Sequence, residues 1–279
     1  IMWTDQINDF NYSVGGNITY SRFWDWEQYK PRFSNSWDEY RNSIWHRVGY
    51  VNWGYEAIGR FDSWEQIANY PVDNDRKGNR TVVPGDIMYK DQNNDGVINY
   101  LDERPIGYRV DSTPTLNFGI NLSASWKGFD LAMDWTGSGM TSWNQCYETA
   151  RPFQNDGNSP DEVLKDAWHL SDIWDANSPL IPGKYPMVRL NTDETSAYDK
   201  SSYWLHNVTY LKLRNLEVGY TFPKTWLNRT GISNLRLFVS GTNLLTLSNL
   251  SVMDPECASD NGLDYPPMRV INIGVNLKF

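Results

Sequence analysis

The sequence has no apolar run approaching the roughly 18 residues of a membrane-spanning helix, which excludes a helical membrane protein. Positive charge is scarce: 25 Lys and Arg stand against 34 Asp and Glu, a formal net charge of −9. Such a surface does not neutralise phosphates, so no nucleic-acid partner is expected. The two cysteines, Cys146 and Cys257, have no CxxC spacing, and the three histidines, His46, His169 and His206, form no HExxH-like cluster. Zinc and thiol redox chemistry therefore find no support. The first thirty residues lack the basic stretch and apolar core of a secretory leader, so the sequence reads as a mature chain or as a piece of a longer one. No pair of carboxylates has a spacing that predicts a shared cleft, which points away from an enzyme.

What is present is aromatic and alternating. There are 14 Trp and 17 Tyr in 279 residues, a surplus that interfacial girdles of a membrane barrel would explain. From Thr115 to Trp126, the residues Leu116, Phe118, Ile120, Leu122, Ala124 and Trp126 alternate without a miss against polar or small ones. This is a strand with one apolar and one wet face. Lys127-Gly128 then predicts a tight hairpin into Phe129, Leu131, Met133 and Trp135. Further strands are expected from Phe10 to Ser21, over 208–222 with a bulge near Arg214-Asn215, from Leu235 onward, and from Ile271 to Phe279. Residues 36–60 read ambiguously and could hide another pair.

Connections of about 90, 70 and 25 residues alternate with short turns. A membrane barrel sorts its loops this way, with short periplasmic turns and long extracellular ones. Strand parity then places residues 25–113, 137–207 and 247–269 outside the cell. Asn272, Gly274, Leu277 and Phe279 resemble the terminal-strand signal read by barrel-assembly machinery. The expected fold class is all-β: an antiparallel transmembrane β-barrel with long extracellular loops, in which residues 1–279 supply only part of the strands. The rival is a soluble or surface β-domain, stabilised by calcium and binding carbohydrate, because soluble antiparallel sheets also keep one face wet.

Residues 91–102 match the twelve-position loop of an EF-hand at positions 1, 3, 5, 6, 9 and 12. Asp91, Asn93 and Asp95 offer converging oxygens, Gly96 permits the sharp turn, Val97 offers its carbonyl and Asn99 stands at position nine. Position twelve is Asp102 in place of Glu, one methylene shorter. A structural Ca2+ is expected here, against the alternative of an Asp/Asn/Gly-rich turn that binds nothing. Trp143, Trp168, Trp174 and Trp204 fall in the second long connection. They could stack on sugar rings, or pack loops and contact a partner, which is the commoner fate of Trp. Cys146 and Cys257 could bridge two loops in an oxidising exterior.

Several stretches together resemble the SusC/RagA family of TonB-dependent outer-membrane transporters. They include Gly54-Tyr55-Glu56-Ala57-Ile58-Gly59-Arg60-Phe61, Pro84-Gly85-Asp86-Ile87-Met88-Tyr89-Lys90-Asp91, Ile106-Gly107, Thr113-Pro114 and Trp126-Lys127-Gly128-Phe129-Asp130-Leu131. They continue with Tyr210-Leu211-Lys212-Leu213-Arg214-Asn215-Leu216, Gly219-Tyr220-Thr221-Phe222-Pro223 and Val239-Ser240-Gly241-Thr242-Asn243-Leu244. The resemblance implies the C-terminal strands of a 22-stranded barrel in the outer membrane of a Gram-negative cell, with its plug and its TonB-contacting segment upstream of Ile1. It also implies a SusD-like surface lipoprotein as partner and glycan oligomers, or peptides, as cargo.

Overall fold

The computed structural model describes all residues except 28, 30, 50, 109–113, 191–193, 229–230 and 257–260. Thr113 and Cys257 lie outside the described residues. Seven strands form one antiparallel sheet in chain order. They are β1 (Met2–Ile7), β2 (Phe10–Tyr20), β3 (Leu116–Trp126), β4 (Phe129–Asn144), β5 (Leu205–Thr221), β6 (Asn234–Ser248) and β7 (Val270–Lys278).

Register follows the alternation. Leu122 pairs with Val14 on one side and Met133 on the other, Ile120 with Trp135, and Trp126 with Phe10 and Phe129. Because side chains in register share a face, every strand sends its apolar set the same way. The Lys127-Gly128 hairpin forms as expected, with positive φ at both residues (47° and 92°), as a two-residue turn matched to strand twist requires. The bulge on β5 also falls where the pattern slips: Leu213 pairs with Trp135, Asn215 with Asp134, and Arg214 is the extra residue.

The structure adds one strand and corrects two expectations. Strand β1 pairs with β2 through the turn at Asn8-Asp9, and was not anticipated because Asp5 interrupts the apolar phase of Trp3 and Ile7. Strand β4 runs to Asn144 and β5 starts at Leu205, so the second long connection is 145–204 and not 137–207. The stretch from Gly137 to Ser142 pairs by backbone without alternating in polarity, which hid it. Residues 36–60 add no strand to the large sheet. They form a helix over Ser36–Asn42, capped by Asn35, and short strands at Arg47–Val48, Asn52–Gly54 and Ala57–Arg60.

The largest buried core lies away from the sheet. The connections 21–115 and 145–204 pack together around Tyr55, Ile87, Tyr89, Ile98, Val163, Tyr185, Tyr198 and Trp204, forming a crown at one end of the strands. The opposite end carries the turns at 8–9 and 127–128 and, among the described residues, the short connection from β5 to β6.

Candidate functional site

The apolar face of the sheet has no second layer over it among the described residues. Ile18, Trp126, Phe129, Val239, Ile271, Ile273 and Leu277 are all exposed, Ile273 by 83%. A water-soluble monomer rarely shows so continuous an apolar patch. Eleven residues of β3, at about 3.4 Å each and a tilt of about 45°, rise about 26 Å, close to the lipid-facing band of a membrane barrel. At the short-turn end, Phe129, Tyr220, Phe222 and Trp226 form a chain of ring contacts. Amphipathic rings gather in this way at a membrane interface.

The other face is polar and charged. Arg236 on β6 bonds Asp130 on β4 and Glu217 on β5, the latter at 2.6 Å. Nearer the crown, residues 249–256 fold back over this face. Leu250 packs with Trp143 and Val208. Beyond it, Lys212 Nζ donates to Asp254 (2.9 Å) and Glu256 (2.8 Å), while Arg214 also bonds Glu256. Lys212 is 1% exposed, and the two carboxylates that meet it offset the cost of burying an ammonium group. Sequence reasoning missed both networks. The trace of the second is the Lys212 and Arg214 pair interleaved with Leu211, Leu213 and Leu216, with Asp254 and Glu256 two residues apart.

The terminal-strand residues divide between the faces. Asn272 pairs with Ser240 and Gly274 with Phe238 on the polar side; Leu277 pairs with Leu235 on the apolar side. Phe279 is 83% exposed. A Cβ on Gly274 would stand 2.2 Å from the Phe238 ring, so the ring covers the glycine and would have to shift for a larger residue.

The loop 91–102 is curled by its own side chains. Asp91 accepts the N–H groups of Asn94 (2.7 Å) and Gly96 (2.8 Å), Asn93 accepts from Asp95 (3.0 Å), and Asp95 accepts from Val97 (2.9 Å). Gly96 has φ +83°, which a non-glycine residue adopts only under strain. The amide nitrogens of Asn93 (2.9 Å) and Asn99 (3.4 Å) both meet Asp95 Oδ2, and that of Asn99 also meets the Val97 carbonyl (3.2 Å). Asn93, Val97 and Asn99 thus gather around Asp95, with amide N–H groups on carboxylate and carbonyl oxygens, while the Asp91 carboxylate holds the Asn94 and Gly96 N–H groups. Asp102 is fully buried, and its two oxygens accept Gln92 N–H (2.8 Å) and Asn99 N–H (2.9 Å). It closes a capping box on the turn Tyr100–Asp102. Among the described residues no group of three or more His, Cys, Asp or Glu is gathered as a metal cluster. The Val97 N–H, then the Asn93 amide, hold the Asp95 carboxyl below its ordinary pKa.

The loop is fixed to the crown by backbone. Asp73 N–H donates to Gly96 O (2.8 Å), Ile98 N–H donates to Asp73 O (2.9 Å), and Ile98 is buried in the crown core. Behind it, Asp75 accepts from Lys77, Asn79 and Thr81. Burial raises the Asp75 carboxyl, but these hydrogen bonds outweigh it and leave its pKa lowered. Asp86 shows the opposite balance: full burial raises its carboxyl although Arg189 pairs with it.

The tryptophans also divide. Trp204 is 1% exposed, stacks near Tyr198 and Tyr185, and donates Nε1–H to Ala197 O (2.8 Å). Trp143 is buried and stacked on His206; Trp168 is buried beneath Gly85 and the Arg60 guanidinium. For these three the packing alternative holds and sugar stacking does not, since protein already occupies their faces. Trp174, 90% exposed, is the exception.

No family model matches the chain. It is similar to the TonB-dependent receptor P3 of Formosa agariphila, 30% identical over 242 residues, covering 80% of this chain and 22% of that protein. It is also similar to the TonB-dependent receptor SusC of Bacteroides thetaiotaomicron, 24% identical over 252 residues, covering 84% of this chain and 20% of SusC. Among solved structures, the RagAB peptide importer in its closed-closed state matches with a TM-score of 0.65 at 21% identity, over 100% of this chain and 28% of the matched chain. The chain therefore spans about a fifth of the length of the curated relatives it matches.

Proposed function

We infer that this chain, which is SusC/RagA-like over about four fifths of its length, supplies wall strands and an outer crown to a TonB-dependent transporter of the Gram-negative outer membrane. The observation that carries this reading is the uncovered apolar face of the seven strands, opposite a charged polar face. In a carbohydrate-binding soluble domain those apolar rows would be buried under a second layer. Here the largest buried core sits in the crown. The relatives bear receptor and transporter names, and no catalytic role is assigned to this chain.

In this reading lipid meets the apolar face, and a hydrophilic cargo of glycan oligomers, or peptides, passes along the polar face. The short-turn end lies in the periplasm and the crown outside, where residues 21–115, 145–204 and 249–269 would meet a SusD-like lipoprotein. TonB would engage a region outside this sequence. Trp174, standing clear of the crown, is the aromatic side chain best placed to meet cargo or partner. The loop 91–102 would hold a structural Ca2+ through Asp91, Asn93, Asp95, the Val97 carbonyl and Asn99, with Asp102 contributing lone pairs left over by its two N–H bonds. When bound, the ion would lock the crown segment that Ile98 anchors.

Membrane fractionation of the full-length gene product tests the reading. It should sediment with outer membranes and resist carbonate extraction; release by carbonate would overturn it. For the metal, Asp95→Ala should lower the melting temperature in calcium and abolish its dependence on chelator. Identical melting of variant and parent, with and without chelator, would remove the site.

A further inference from the structure

The crown does not sit flush on the strands. Where β2, β3, β4 and β5 end, a half-open cavity of about 910 Å3 separates Ser21, Thr115 and Met140 on the sheet from residues 22–24 and 46–49 of the crown. Its size is within the range of small-ligand sites. The wall brings together Arg22, Arg47, Trp24, Tyr40, Trp53 and His46, and among the described residues no carboxylate lines it, although the chain carries a net charge of −9. Asp25, whose carboxylate stands against Gly49, is not among the lining residues.

The aromatic side chains also hold one of the cations. The Arg47 guanidinium lies 5.6 Å from the Tyr40 ring centre and 6.0 Å from that of Trp53, and its Nη1 donates to Tyr40 O. A guanidinium fixed in this way loses little freedom on gripping a planar oxyanion with its fork. Trp24 is held by pairing with Val48 yet remains 50% exposed, which leaves a π-face for a flat apolar surface. An ammonium ligand would be repelled by the arginines, and a neutral one would leave them unpaired on desolvation.

We propose that this cavity binds an acidic pyranose, a uronate unit of an oligosaccharide. Its carboxylate is held by Arg47 and Arg22, and its C–H face lies on Trp24. The proposal rests on the import reading only for placing the cavity at the outer mouth; the recognition itself is a property of these residues.

Titration calorimetry of the full-length protein in detergent tests it with three probes: tetragalacturonate, maltotetraose and tetra-aspartate. Tetragalacturonate should bind, with maltotetraose and tetra-aspartate each weaker by about tenfold or more. Arg22→Gln, Arg47→Gln and Trp24→Ala should each weaken tetragalacturonate about tenfold. Arg22→Gln changes an exposed side chain and keeps the test valid if the other two variants disturb the crown. Absence of tetragalacturonate binding, equal affinity for maltotetraose, equal affinity for tetra-aspartate, or wild-type affinity in Arg22→Gln would each overturn the proposal. Carbonate release of the protein with uronate binding intact would sink the import reading and leave the site standing.

Discussion

The sheet and the crown are built from the same chain on opposite plans. In the crown, Trp204, Tyr89, Ile87 and Phe61 are buried, and the buried Asn74 is fully engaged: its amide donates to Ile87 O (3.0 Å) and its Oδ1 accepts Tyr89 N–H (3.0 Å). In the sheet, large apolar side chains stand exposed while ion pairs occupy the inner face. The crown is stabilised by removing apolar area from water. The sheet relies on its backbone ladder and on a solvent that is itself apolar on one side. Burial alone would rate the sheet as poorly folded; with its solvent specified, it is consistent.

That contrast can be broken or sharpened by substitution. Trp204→Ala should cost the crown about 3–5 kcal/mol, as loss of a buried large side chain does, and hydrogen exchange should show the loss in the crown while the sheet keeps its protection. Leu122→Arg, near the middle of β3 on the apolar face, should cost about 2–4 kcal/mol in lipid, whereas Asn121→Arg on the polar face should cost less than about 1 kcal/mol. Folding titrations into liposomes measure both. If Asn121→Arg proved the costlier, the faces would be exchanged. Lys212→Ala leaves Asp254 and Glu256 one cation short and should cost about 1–3 kcal/mol, seen as faster proteolysis within 249–269.

The smallest effect is a pH-dependent one in the crown. The lowered pKa of Asp75 means that its hydrogen bonds contribute stability above the unfolded carboxyl pKa of about 3.9, and that this contribution is lost as pH falls through the lower folded value. Asp75→Asn should therefore be destabilised by about 1–2 kcal/mol at neutral pH. The gap to the parent should close as pH drops below about 4; a constant gap across that window would count against the assignment.

The sheet was largely legible in the sequence because each rung is written twice, once per face. The stretch 115–136 predicts β3, its hairpin and the start of β4, and the slip at Arg214 predicts the bulge. Strand β1 and the upper half of β4 were not legible, since Asp5 and the run from Gly137 to Ser142 break alternation while still pairing by backbone. In the crown, the loop 91–102 was legible as a curled Asx-rich turn because its contacts are local. The fates of Trp143, Trp168 and Trp204 were not, since each is decided by residues far along the chain, such as Gly85 against Trp168. The Lys212 network was hidden for the same reason, with its carboxylates more than forty residues away.

The most direct test of the division between the faces is a nitroxide scan of residues 116–126 in the full-length protein reconstituted in liposomes. Collision with dissolved oxygen should peak at Leu116, Phe118, Ile120, Leu122, Ala124 and Trp126, and collision with a water-soluble nickel chelate at the residues between them. Equal accessibility of both sets to the nickel reagent, or protection of the even-numbered set from both reagents, would show those side chains in water or in a dry protein interior, and would contradict a wall facing lipid.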